Sequence, residues 1–182
     1  APAGCNAIAF DQTGTLTTGE LTCLAIEKIG DNDIRSPVPE EALSIAYALE
    51  RNAVHPIAGA IINYAEERRI SAAPLANFAS VPGHGLKASA EIAGRKNDVV
   101  IGRPAFVAEQ LPATVRSQLL ARSAEIEASG ELIAVLAAGK NAFIFRFRDT
   151  PRPRVKEMLQ GLAERGLETV MLTGDHANSA RR

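Results

Sequence analysis

The 182 residues suffice for one domain of ordinary size or two small ones, and a hydrophobic share of 46% supports a real core. A net charge of −1, no Trp and 4% aromatic residues give neither the basic surface nor the stacking platforms of a nucleic-acid binder, so no nucleic-acid partner is expected. No apolar run approaches the roughly 20 residues that span a bilayer, and the opening APAGCNAIAF lacks the charged start and long apolar stretch of a signal peptide.

In chain order, Ala7 to Phe10 reads as a short buried strand, apolar on both faces as parallel strands are. Pro39 to Arg51 reads as a helix, with Pro39 and two glutamates in the first turn and Leu43, Ala46 and Leu49 on one face. Ser36, Pro37 and Pro39 mark the loop before it. Pro56 to Arg69 follows as a second helix, with Ile57, Ala60, Ile61 and Tyr64 at helical spacing. VPGHGLKASAEIAGRKNDVVIG reads as turn, strand, tight turn, strand, with AGRKND as the turn. Pro112 to Ala128 is a third helix. ELIAVLAAGKNAFIFRFRD is a hairpin around Gly139-Lys140-Asn141. Arg154 to Arg165 is a fourth helix capped by Gly166, and ETVMLTGD is a strand running into a loop.

The first strand and the last helix and strand look like parts of one parallel α/β sheet. Residues between them carry helices and hairpins of their own. The pattern predicts one domain interrupted by another: residues 1–19 and 149–182 on one side, 20–148 on the other. The ending GDHANSARR has no stop logic and suggests truncation. An unfinished sheet would expose an edge able to associate.

Asp11 ends the first strand in AFDQTGTLTTGE. In open parallel sheets, ligands bind outside the carboxyl ends of the strands. The small residues Thr13, Gly14 and Thr15 leave backbone N–H groups free for an anion. The last strand ends in Thr173-Gly174-Asp175, a second polar loop expected at the same edge. A carboxylate among hydroxyls and amides suits a phosphate site if Mg2+ bridges the negative charges, and Asp can itself attack a phosphoryl group. On residue types alone, a turn-capping role for Asp11 is an even match for this. Cys5 and Cys23 form no ligand-like spacing and read as reduced thiols in a cytosolic compartment. His84 and His176 lack partners at metal-ligand spacing and read as solvated loop residues. His55, before a proline, is by default a capping or turn residue.

DQTGTLT resembles the phosphorylation motif of P-type ATPases, usually DKTGTLT, within the haloacid-dehalogenase superfamily. DTPRP at 149–153, MLTGD at 171–175 and HP at 55–56 resemble further signatures of that family. HP with the glycine loop GHG at 83–85 is similar to the heavy-metal-transporting class. TLTTGELTCLAIEKI resembles a zinc/cobalt-type subgroup that includes chloroplast members. The implied fold is a partial haloacid-dehalogenase-like, Rossmann-type phosphorylation domain, interrupted by an α+β nucleotide-binding domain with an antiparallel sheet.

The resemblance implies that Asp11 takes the γ-phosphoryl group of ATP. Thr13 would offer its backbone carbonyl to Mg2+, which Asp11 also binds, and its hydroxyl to the phosphate. Thr173, Gly174 and Asp175 would hold the phosphoryl group and nucleotide. Asp149 and Arg152 would form the hinge between the two domains. In the insert, His55 would stack on the adenine and Glu50 read its exocyclic amine. Gly83 and Gly85 would admit the nucleotide closely, and Gly102, with Arg103 beside it, would be a later contact. Superfamily phosphatases usually carry a second Asp two residues after the nucleophile. Thr13 stands there instead, which suits a long-lived aspartyl-phosphate.

ATP and Mg2+ are therefore the expected cofactors. The transported metal, the membrane helices and the actuator domain would belong to the rest of a membrane protein, with this piece on the cytosolic or stromal side. Gln12 stands where the family has Lys, Arg103 where Asn is common, and AVHP where SEHP is usual. The family's later lysine and its GDGxND acids have no counterpart before Arg182, so binding of ATP with little turnover is expected. A free-standing phosphatase and a non-catalytic nucleotide-binding module are the competing readings.

Overall fold

The computed structural model describes residues 7–11, 17–31, 33 and 35–172. The chain divides into two compact units, Ala1–Glu20 with Asp149–Arg182, and Leu21–Arg148. It passes between them on two strands that are neighbours in a sheet, β2 (Thr17–Ile29) and β7 (Asn141–Pro151).

That sheet is six-stranded, in the order β2-β7-β6-β5-β4-β3. Here β3 is Leu75–Val81, β4 Gly85–Ile92, β5 Arg95–Gly102 and β6 Leu132–Ala138. Pairing from β3 through β7 is antiparallel. Its central strands are apolar on both faces because helices cover both. Phe143, Phe145 and Phe147 of β7 pack with α1 (Pro39–Glu50) and α2 (Pro56–Glu67). Ala142 and Ile144, pointing the other way, pack with α3 (Pro104–Ala108) and α4 (Ala113–Ala128). The strand period of two thus sorts one run of apolar residues into two cores. Each phenylalanine withdrawn from water contributes about 1.5–3 kcal/mol.

In the other unit β1 (Ala7–Asp11) pairs in parallel with β8 (Glu168–Leu172), from Ala7 opposite Glu168 to Asp11 opposite Leu172. The helix α5 (Val155–Glu164) precedes β8. Gly166, at φ 75°, ends it: the Gly166 N–H donates to Ala163 O at 2.9 Å and Leu167 N–H to Leu162 O at 3.1 Å. This double bond pattern satisfies carbonyls that a helix end leaves open.

Three elements have no counterpart in the sequence reading: β2, β3 and α3. One boundary needs correction. The turn read as AGRKND is only Ala93-Gly94, both at positive φ (50° and 73°), and Arg95 already pairs with Ile92. Two consecutive positive-φ residues form the tight hairpin that matches strand twist. The polar residues after it are strand because their backbone pairs with β4, whatever their turn preference.

Candidate functional site

Helix α1 ends at Glu50 and α2 begins at Pro56, so the connection between them is short. His55 occupies the N-cap of α2, and its Nδ1 accepts a hydrogen bond from the Ala58 N–H at 3.2 Å. An accepting Nδ1 places the ring proton on Nε2. That Nε2 lies 3.2 Å from Oε2 of Glu50. Glu50 is 4% exposed, and burial raises its carboxyl above the ordinary range, with His55 partly opposing the shift. Its Oε2 receives no aligned hydrogen bond from the described residues. A buried acceptor in that condition is costly unless a donor arrives.

Glu50 and His55 line a cavity of about 610 Å³. Gly83 and Gly85 reach it from the β3–β4 turn, and Gly102 and Arg103 from the end of β5. The six insert residues to which the resemblance gave a nucleotide role thus border one space, of a size that holds a drug-sized ligand. The two cap and cavity readings of His55 are compatible. Its Nδ1 caps the helix while its side chain, 47% exposed, borders the cavity.

The glycines differ in what requires them. Gly85 and Gly102 are cross-strand partners. A Cβ on Gly85 would lie 2.0 Å from Ile101 O, and one on Gly102 would lie 2.3 Å from His84 O. Close approach of β4 to β5 therefore demands both, with or without a ligand. Gly83 sits at φ 77° in open space, a backbone requirement only. Arg103 is exposed, at the N-cap of α3.

His84, read as a solvated loop residue, is exposed but also borders the cavity. Its Nδ1 lies 2.9 Å from Pro82 O and its ring centre 5.4 Å from that of Phe106. Ile57, Leu86 and the half-exposed Phe78 border the cavity as well. The sequence offered a signal for His84, since the residue between two site glycines must border whatever they border.

At the other unit, Asp11 is the last residue of β1, and its partner Leu172 directly precedes Thr173. Both parallel strands therefore end at the same carboxyl edge. Thr13, Thr173, Gly174 and Asp175 lie outside the described residues, as do Cys5, Gln12 and His176. Asp149 and Arg152 both grip Thr17. The Thr17 hydroxyl donates to Asp149 Oδ2 at 2.6 Å, and Arg152 Nε donates to Thr17 O at 3.0 Å. Thr18 Oγ1 donates to Thr150 O at 3.3 Å. These bonds tie the start of β2 to the end of β7, where the two chain crossings leave this unit.

Cys23 is a free thiol, 6% exposed, and burial pushes it up to about 12, which leaves it inert. Among the described residues no group of three or more His, Cys, Asp or Glu could hold a metal ion, and no helix is long and apolar enough to cross a membrane.

The family of haloacid dehalogenase-like hydrolases matches residues 5–182. The chain belongs to that family. This haloacid dehalogenase-like chain is 32% identical to the probable cadmium/zinc-transporting ATPase HMA1, chloroplastic, of Arabidopsis thaliana, over 99% of its own length and 24% of the relative's. It is 33% identical to the zinc-transporting ATPase of Bacillus subtilis, over 96% of its length and 26% of that protein's. The chain therefore spans about a quarter of the curated relatives it matches. The crystal structure of a zinc-transporting PIB-type ATPase in the E2.Pi state aligns with a TM-score of 0.74 at 26% identity, over 96% of this chain and 26% of that one. The catalytic domain of the CPx-ATPase CopB-B shares the fold, with a TM-score of 0.61 at 23% identity over 96% and 56% of the two chains.

Proposed function

We propose that this chain is the ATP-binding and phosphorylation part of a membrane pump that couples ATP hydrolysis to transport of a heavy-metal cation. The cation and the actuator and membrane domains would belong to the remainder of the pump, with this part on its cytosolic or stromal side. The observation that carries the reading is the convergence of Glu50, His55, Gly83, Gly85, Gly102 and Arg103 on one cavity, with a buried carboxyl in its wall.

The chemistry follows from those groups. Ionised Glu50 accepts from the exocyclic amine of adenine. Guanine presents a carbonyl oxygen at the corresponding position, which a carboxylate repels. The imidazole of His55, fixed by its cap bond, packs on the base. Gly83 and Gly85 leave room for the nucleotide beside the β3–β4 turn, and Arg103 supplies positive charge at the rim. Asp11 then acts as nucleophile: its carboxylate oxygen bonds to the γ-phosphorus, the bond to the bridging oxygen breaks, and ADP leaves with that electron pair. Thr13, Thr173, Gly174 and Asp175 position the phosphoryl group. Asp11 and the Thr13 carbonyl, both hard oxygen donors, would hold Mg2+, and the ion when bound would neutralise phosphate charge. With Thr13 where a phosphatase has its acid, no adjacent base activates water, and the acyl phosphate persists. Asp149 and Arg152, through Thr17, form the hinge.

Calorimetric titration of the chain with ATP and with GTP tests this. ATP is expected to bind and GTP not, with His55→Ala weakening ATP by about 1–3 kcal/mol. A folded sample that binds neither nucleotide would overturn the reading. Acid-stable label from γ-labelled ATP, lost in Asp11→Asn, separates a phosphorylating enzyme from a binding module.

A further inference from the structure

We propose that Arg116 is a positioning residue for the nucleotide cavity: from α4 it anchors the far end of α3, and α3 holds two sides of the cavity in place. The proposal rests on the reading of that cavity as an adenine-nucleotide site. Arg116 does not itself border the cavity. α3 is short enough to need anchoring. It spans five residues, and a helix of that length is not stable by itself. Val107 and Ala108 fix it by packing into the core shared with α4. Arg116 fixes its end: Nε donates to Ala108 O at 3.0 Å and Nη2 to Leu111 O at 3.3 Å. Carbonyls at a helix end have no partner within the helix, and a cation there also suits the helix dipole.

The other end of α3 meets the cavity. Its N-cap, Arg103, follows Gly102, and both border the cavity. The Arg103 N–H donates to His84 O at 3.4 Å. Further along α3, the Phe106 ring lies 5.4 Å from the ring of His84, centre to centre, and Lys87 Nζ lies 5.3 Å from the centre of the Phe106 ring. α3 thus touches the end of β5 and the β3–β4 turn together. Gly83, on one flank of His84, sits in open space: a Cβ there would meet nothing within 4 Å. His84 is therefore where α3 steadies the turn.

Binding groups must keep their geometry to within about 0.5 Å, and the residues behind them supply that constancy. Loss of the Arg116 bonds frees the end of α3, and the freedom reaches Arg103 and His84 through a single short helix.

The test compares two arginines of α4. By calorimetry well below each thermal midpoint, Arg116→Ala is expected to weaken ATP about fivefold, with Arg116→Lys, which retains a donor, between it and the parent. Arg122 instead pairs with Glu27 of β2, at 2.6 and 3.1 Å. Arg122→Ala also removes a tie of α4, yet it is expected to leave ATP affinity at the parent value. In the ligand-free chain, Arg116→Ala should shift the amide signals of His84 and Arg103, and Arg122→Ala should not. In a double-mutant cycle, Phe106→Leu should weaken ATP by itself and add little in the Arg116→Ala background. Where Arg116→Ala does not fold, Arg116→Lys against Arg122→Lys decides in the same way. Equal losses of affinity at the two arginines would show a general loosening and overturn the proposal. If Arg116→Ala binds ATP like the parent while His55→Ala weakens it, this proposal falls and the nucleotide site stands. If the folded parent binds no ATP, the site reading falls and takes this proposal with it.

Discussion

In the unit Leu21–Arg148, Phe143, Phe145 and Phe147 are fully buried and alternate with Ala142 and Ile144 on the opposite face. In the other unit, α5 spans ten residues and buries none of them. Two cores hold the first unit from both sides of its sheet, and every described residue of the candidate nucleotide cavity hangs on that frame. The candidate nucleophile Asp11 instead ends a strand with one parallel partner among the described residues. Recognition of a base needs groups held within a fraction of an ångström, and a doubly packed sheet provides that rigidity.

The contrast can be broken most severely at the β4–β5 junction. Gly85→Val would drive a branched side chain into the Ile101 carbonyl, and a loss of about 4 kcal/mol, measured by denaturant unfolding, is expected. Equal truncations in the two units sharpen the comparison. Leu136→Ala, at a fully buried β6 position, should cost about 2–5 kcal/mol, whereas Met158→Ala, on exposed α5, should change stability by less than about 0.5 kcal/mol.

A smaller effect tests the charges along the sheet. Glu131 is buried and receives two hydrogen bonds from Arg146, at 2.7 and 2.9 Å, and one from Arg148 at 3.3 Å. The Arg146 guanidinium holds its carboxyl below the usual 4.5. Because the folded value is depressed, this stabilisation is full above the unfolded value and is lost as pH falls through the folded one. Glu131→Gln should therefore cost about 1–3 kcal/mol at neutral pH, with the gap from the parent closing in acid unfolding series.

Glu50 behaves in the opposite sense. Burial raises its folded value, so the ionised side chain costs stability at pH above that value, and the cost disappears as pH falls. Glu50→Gln should gain up to about 1 kcal/mol in thermal unfolding while losing about 1 kcal/mol of ATP affinity. Lower pH should also narrow the preference for ATP over GTP in the parent, since a protonated Glu50 no longer repels the guanine carbonyl.

Much of this was legible in the residues. Helical spacing located α1, α2, α4 and α5, because each shows an apolar stripe broken by Pro or Gly. HP and GHG marked two sides of the cavity while far apart in sequence. What escaped notice broke a period. β2 has an irregular burial pattern and Gly19 at φ 76°, and β3 changes parity at Asn77. Phe78 was missed because the strand that carries it, β3, was not read from the sequence at all. The mutual contact of Gly85 and Gly102 depends on strand register, which no local pattern carries.

The most direct test is an amide NMR titration of the isotope-labelled chain with ATP. Two cavities make it discriminating. The one beside His55 should show saturable shifts at Ala53, His55, Gly83, Gly85, Gly102 and Arg103. A second cavity of about 300 Å³, bordered by Asp31, Arg35, Arg95 and Asn141, should stay unmoved. Shifts confined to the second cavity, or no shifts in a folded sample, would contradict the assignment of nucleotide recognition to Glu50 and His55.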